Sequence, residues 1–186
     1  MKDLYRERKD HLIVGHVYNN SKDYLPFNLK PQYLQDTYES KIIKYGSWAR
    51  WVDCEVEEKK PVKDSLWGLA TENKATIMVT GYNGVKGPKA DPTIAGSAIQ
   101  YLSVNSVLPV LVIKDARRRE QKPDGSYRYG VCYDGSSQAE KALHLAINMM
   151  RPCDRLVTIT VKEPNVDDSA LVTKCKELLA ENGVTG

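Results

Sequence analysis

The chain has 186 residues, 41% of them hydrophobic, with 27 lysines and arginines against 24 aspartates and glutamates. That is enough for a buried core and for one large domain, or one domain plus part of another. A net charge of +3 gives no sign of a long basic groove for nucleic acid, and no apolar run approaches the ~20 residues of a membrane-spanning helix.

The opening "MKDLYRERKD" is too charged for a secretory signal, which points to a cytoplasmic protein. "HLIVGHVY" (11–18) is a short apolar run rich in β-branched residues and reads as a buried strand. "PQYLQDTYESKIIKYG" (31–46) opens on Pro and closes on Gly, the usual asymmetry of a helix. "WARWVDCEVEE" (48–58) alternates. Trp48, Arg50, Val52, Cys54 and Val56 share one face, with Asp53, Glu55 and Glu57 on the other, as in a half-exposed edge strand.

A helix follows over 61–73, with Val62, Leu66, Leu69 and Ala70 on one face. "ATIMVTGY" (75–82) is a strand that runs straight into a glycine-rich loop. "GSAIQYLSVNS" (96–106) is a helix, and "LPVLVIK" (108–114) a strand with Pro at its start, where no ladder donor is lost. Alternating strands and helices predict a parallel sheet.

Composition then shifts. "DARRREQKPDGSY" (115–127) is charged, contains Pro and Asp-Gly, and reads as a linker whose Arg117-Arg118-Arg119 run is solvated. Alternation resumes with a strand at 129–134, a helix at 136–150, a strand at 155–161 and a helix at 167–182 closed by Gly183. The predicted organisation is therefore a first domain over 1–114, a linker over 115–127 and a second unit over 128–186.

His11, His16 and His144 lack metal-ligand spacing and read as packing or surface residues. Cys54, Cys132, Cys153 and Cys175 form no C-x-x-C pair and read as reduced thiols. No histidine or paired carboxylate stands near the glycine loop as a catalytic base, so neither a catalytic residue nor a metal site is assigned. The S-G-G-x-D-S and H-I-G-H signatures of adenylating enzymes are absent from the sequence.

The loop itself carries the chemistry. Glycines let backbone N–H groups approach a phosphate without a Cβ in the way, and a helix N-terminus adds unpaired donors and partial positive charge. Glycines in a loop also serve simply as turn formers. The order here is strand, Gly81-x-x-Gly84, loop, Gly96-Ser97, helix, then Pro109-Val110-Leu111-Val112-Ile113. This resembles the universal stress protein family, whose ATP-binding members carry G-x2-G-x9-G-[ST] before a helix and a PVLVV-like last strand. Eleven residues separate Gly84 and Gly96 where the family has nine. "YGVCYDGSSQAEKALHLAINMM" from Tyr129 resembles the family's opening strand and helix, "RLVTITVKEP" its second strand, and "HLIVGHVYNN" also a second strand, with the His-Val pair at His16-Val17.

The resemblance implies a Rossmann-like, doubly wound parallel sheet of order 3-2-1-4-5 and an ATP-binding regulatory module, with magnesium accompanying the nucleotide. It places phosphates and ribose on Gly81, Gly84, Gly96 and Ser97, adenine on Val17, and the rest of the site on Asp134. It also implies pairing through the last strand, here 109–113, as a homodimer or a domain-swapped dimer. A nucleotide-independent dimerisation or interaction protein of the same fold is the alternative.

The first half lacks an opening strand and the second half supplies one. Either the chain is a fragment of a tandem protein, or residues 129–134 complete the first sheet beside 75–81. The second is expected, because a sheet without its centre leaves edges and core exposed. The predicted sheet thus contains 11–18, 48–57, 75–81 and 109–113, all parallel, with 129–134 inserted next to 75–81.

Overall fold

The computed structural model describes residues 10–20, 24–56, 61–84, 87, 90–91, 93–114, 125–161 and 168–184. Two compact units emerge, Met1–Arg118 and Arg119–Gly186. Most of the predicted linker, residues 115–124, lies outside the described residues. Among the described residues the protein is a mixed α/β structure of short parallel strand pairs and five α-helices.

In the first unit, β1 (Leu12–Tyr18) pairs in parallel with β2 (Ala49–Glu55), from Leu12 opposite Ala49 to Tyr18 opposite Glu55. Helix α1 (Pro31–Ile42) connects them, with Pro in its first turn, where the missing N–H costs nothing. A 3-10 stretch follows it, and Gly46 breaks that stretch at φ 57°. The β1–β2 ladder puts His16 and Trp51 on one face, where Tyr38 of α1 stacks on Trp51 at 6.0 Å between ring centres. Gly15 lies on the opposite face, and α2 (Val62–Glu72) lays Leu69 against it, 2.9 Å from where a Cβ would stand. Helices therefore cover both faces of this pair, as parallel strands require.

The second pair joins β3 (Met78–Gly81) to β4 (Val110–Ile113) through α3 (Ser97–Asn105). Ile99 and Leu102 of α3 are buried. Helix α2 packs on both β1 and α3, and Lys63 of α2 sits over the Tyr101 ring of α3 at 4.5 Å.

In the second unit, β5 (Arg128–Cys132), α4 (Ser137–Met149) and β6 (Arg155–Ile159) make a third parallel pair, followed by α5 (Ser169–Glu181). Its core is Val131, Tyr133, Ala139, Leu143 and Cys175, with Ile147, Leu156, Leu171 and Leu178 against it. Gly135, at φ 80°, turns the chain into α4 and leaves room for Leu171, whose Cδ1 is 2.8 Å from the place of a Cβ. Gly183 ends α5 at φ 71°, as its position predicts.

One expectation is corrected. The four strands of the first unit make two parallel pairs, and no ladder joins β1 to β3 among the described residues. In the second unit 129–132 pairs in parallel with 155–159.

Asp154 fastens the β5–β6 pair at its start. Its carboxylate accepts from the Tyr127 N–H at 2.8 Å and from the Arg151 N–H at 2.9 Å, while the Arg151 guanidinium bonds both Asp154 and the Gly125 carbonyl. This clamp ties the start of β5 to the turn before β6, and the Arg155 N–H to Tyr127 carbonyl bond opens the ladder.

Hydrogen bonding from Arg151 holds the Asp154 carboxyl down at about 2, from a usual 3.8. A lowered carboxyl supplies stability that is present above the unfolded value and lost as pH falls towards about 2. Burial lowers His16 from its usual 6.5, outweighing the attraction of Asp53, so its contribution is present above that value and lost below it. Acidification should therefore loosen the first unit below about pH 6.5 and release the Asp154 clamp only below about pH 4. Tryptophan fluorescence tests this, because Trp48, Trp51 and Trp67 all lie in the first unit. A signal unchanged between pH 7 and pH 4 would refute it. Leu143 has 0% exposure, and Leu143→Ala should cost about 2–5 kcal/mol of second-unit stability, measured by chemical denaturation followed by circular dichroism.

Candidate functional site

The end of β3 and the start of α3 meet through the backbone. The Tyr82 N–H continues the ladder to the Ile113 carbonyl at 2.9 Å, and the Tyr82 carbonyl accepts the Gly96 N–H at 3.1 Å. A Cβ on Gly96 would stand 3.3 Å from that carbonyl and 3.5 Å from the Gly84 nitrogen. Gly84 and Gly96 are thus in near contact although twelve positions apart, and Gly81 closes β3 just before them. A branched side chain at Gly96 would press on backbone on two sides.

Ser97 opens α3 and is exposed. The N-cap is Gly96, which makes no side-chain cap bond, so the first turn has no side-chain acceptor from its own cap. The first N–H groups of any helix lack intrahelical partners, and this end carries partial positive charge. In α4 the same end is used internally. Ser136 Oγ accepts the Ala139 N–H at 3.2 Å, and Asp134 Oδ1 accepts the Ser136 N–H at 2.9 Å.

The structure therefore gathers four of the six predicted site residues, Gly81, Gly84, Gly96 and Ser97. Val17 lies near the end of β1, in the other strand pair of the same unit, where its register partner is Cys54. It points to the face opposite His16, whose buried Nδ1 has no hydrogen-bond partner. Asp134 belongs to the second unit, where it forms a turn with Ser136 that holds its carboxyl below the usual carboxylate range.

Two residues at the loop carried no sequence signal. The Tyr82 hydroxyl donates to the Thr93 carbonyl at 2.6 Å and pins the loop across eleven positions. Lys114, just past β4, holds its ammonium 4.6 Å from the Tyr82 ring centre. A Tyr directly after a strand-ending glycine is the only hint that sequence offers. Asp91 in the same loop is occupied by Thr93, accepting its N–H at 2.8 Å and its hydroxyl at 2.6 Å, and these bonds keep its carboxyl low. No group of three or more potential metal ligands occurs among the described residues. No helix there is long and apolar enough to cross a membrane.

The Tyr82 hydroxyl bond implies that Tyr82→Phe should loosen the loop while leaving the β3–β4 ladder intact. Loss of one such bond costs about 0.5–1.5 kcal/mol. Amide hydrogen exchange should accelerate at 90–96 and stay unchanged at 110–113, and equal acceleration in both would refute the pinning role. Comparison with protein-family models, with curated proteins and with solved structures finds no match to this chain.

Proposed function

We propose that the first unit binds an adenine nucleotide, ATP with its magnesium, at the loop between β3 and α3, as a regulatory module of the universal stress protein type. The observation that carries the reading is the backbone approach of Gly84 to Gly96 at a helix N-terminus without a side-chain cap. Phosphate oxygens would take the free N–H groups of the first turn of α3 and the Ser97 hydroxyl. Gly81 and Gly84 would keep side chains out of the approach, and Lys114 would add a positive charge close to Tyr82. Val17 would meet the adenine if β1–β2 and β3–β4 are parts of one doubly wound sheet. As a regulatory module it would act through nucleotide occupancy, with at most weak ATPase activity.

A second reading is a nucleotide-independent interaction protein of the same fold. One observation favours it: the Gly96 N–H is already satisfied by the Tyr82 carbonyl, so that donor is not free for a phosphate.

Titration calorimetry with ATP and magnesium at millimolar nucleotide separates the two. Binding is expected, and its absence would leave the second reading. Gly84→Val gives the cleaner variant, because a Cβ at Gly84 meets nothing within 4 Å. It should abolish nucleotide binding and leave thermal unfolding unchanged, whereas Gly96→Val should impair both. Lys114→Gln should weaken ATP more than adenosine.

A further inference from the structure

Within the first unit, the first turn of α2 meets the beginning of α3. Lys63, the second residue of α2, holds its ammonium 4.5 Å from the Tyr101 ring centre. Asp64, the next residue, lies against the Tyr101 hydroxyl and raises its pKa above the usual 10 by hydrogen bonding. Tyr101 is the fifth residue of α3 and shares a helix face with Ser97, the first. Long side chains on a helix lean back over the preceding turn, so the Tyr101 ring lies over the turn that Ser97 opens. Lys63 is thus carried by α2 to the start of α3.

Three observations at this place point to an anion. Neither helix has a side-chain cap bond at its start, where Pro61 caps α2 and Gly96 caps α3. Two helix dipoles therefore put partial positive charge close together. Lys63 and Lys114 each rest on a tyrosine ring, Tyr101 and Tyr82, and neither has a carboxylate partner among the described residues. The one acidic residue in the two first turns, Asp64, is engaged by Tyr101.

We propose that Lys63 is a further anion-binding residue of the site between β3 and α3, and that with Lys114 it selects ligands bearing more than one phosphate. The inference rests on the nucleotide reading above and adds to it a residue from a second helix. On binding, the Lys63 ammonium leaves the Tyr101 ring for a phosphate oxygen. It exchanges a cation–π contact for a charge-assisted hydrogen bond, which is the stronger of the two. A phosphate chain meets both ammonium groups where a single phosphate meets one.

Titration calorimetry of the full chain with ATP, AMP and adenosine tests the proposal. Lys63→Met keeps the aliphatic stem and removes the charge. It should weaken ATP about tenfold, AMP less and adenosine not at all, with thermal unfolding unchanged. Lys63→Arg keeps the charge and the seat on Tyr101, and should hold ATP to within about twofold of the parent. Tyr101→Phe keeps the ring, removes the Asp64 bond and should leave the ATP-to-AMP ratio as it was. An unchanged ATP-to-AMP ratio in Lys63→Met, or equal loss of ATP and adenosine, would overturn the proposal and leave the nucleotide reading standing. A parent chain that binds no ATP would overturn both.

Discussion

Parallel pairing is the constraint on which the other features rest. Parallel strands need a crossover connection, and they need cover on both faces. β1–β2 meets both needs within the first unit: α1 crosses over and covers the Trp51 face, while α2 covers the Gly15 face. β3–β4 uses α3 as its crossover, and this puts the glycine loop at the C-terminal end of β3. In open α/β sheets ligands gather at the C-terminal ends of strands. The candidate site is thus where the crossover requirement sets the start of a helix.

The elements were legible in the sequence because period and punctuation agreed. Pro31, Gly46 and Gly183 all sit at helix boundaries or breaks, and the six strands fall where apolar runs fall. The pairwise neighbours were legible as well: 11–18 with 48–57, 75–81 with 109–113 and 129–134 with 155–161 are adjacent in the order that the resemblance implies, and all three pairs form. The polar fastening of β5 to β6 was not. Asp154 reads in sequence as one more turn aspartate. In the structure it is 8% exposed and receives two backbone N–H groups and a guanidinium.

The candidate site divides the same way. Its glycines were visible as a motif, since Gly84 and Gly96 act through the absence of a side chain and their spacing carries that information. Tyr82 and Lys114 act through a hydroxyl and a charge that only the folded loop brings to it. Asp134 shows how a motif residue is redirected. Its carboxylate is taken up by the Ser136 N–H, and Ser136 in turn caps α4. Two helix starts with the same dipole therefore differ in what they offer. One is closed by its own side chains, and the other has a glycine for its cap.

Gly15 and Gly130 make the corresponding comparison between strands. Each lies mid-strand in the first member of a parallel pair. Over Gly15 the space is filled, with Leu69 of α2 so close that an added Cβ would displace it. Over Gly130 the nearest atom belongs to Ile159 of the neighbouring strand, on the same face, and no helix atom comes within 4 Å. A strand glycine weakens its strand unless something packs into the space it leaves. In the first unit a helix of the same unit does so. In the second unit α4 and α5 both pack on the opposite face, against Val131 and Tyr133, so no described helix of that unit fills the space over Gly130.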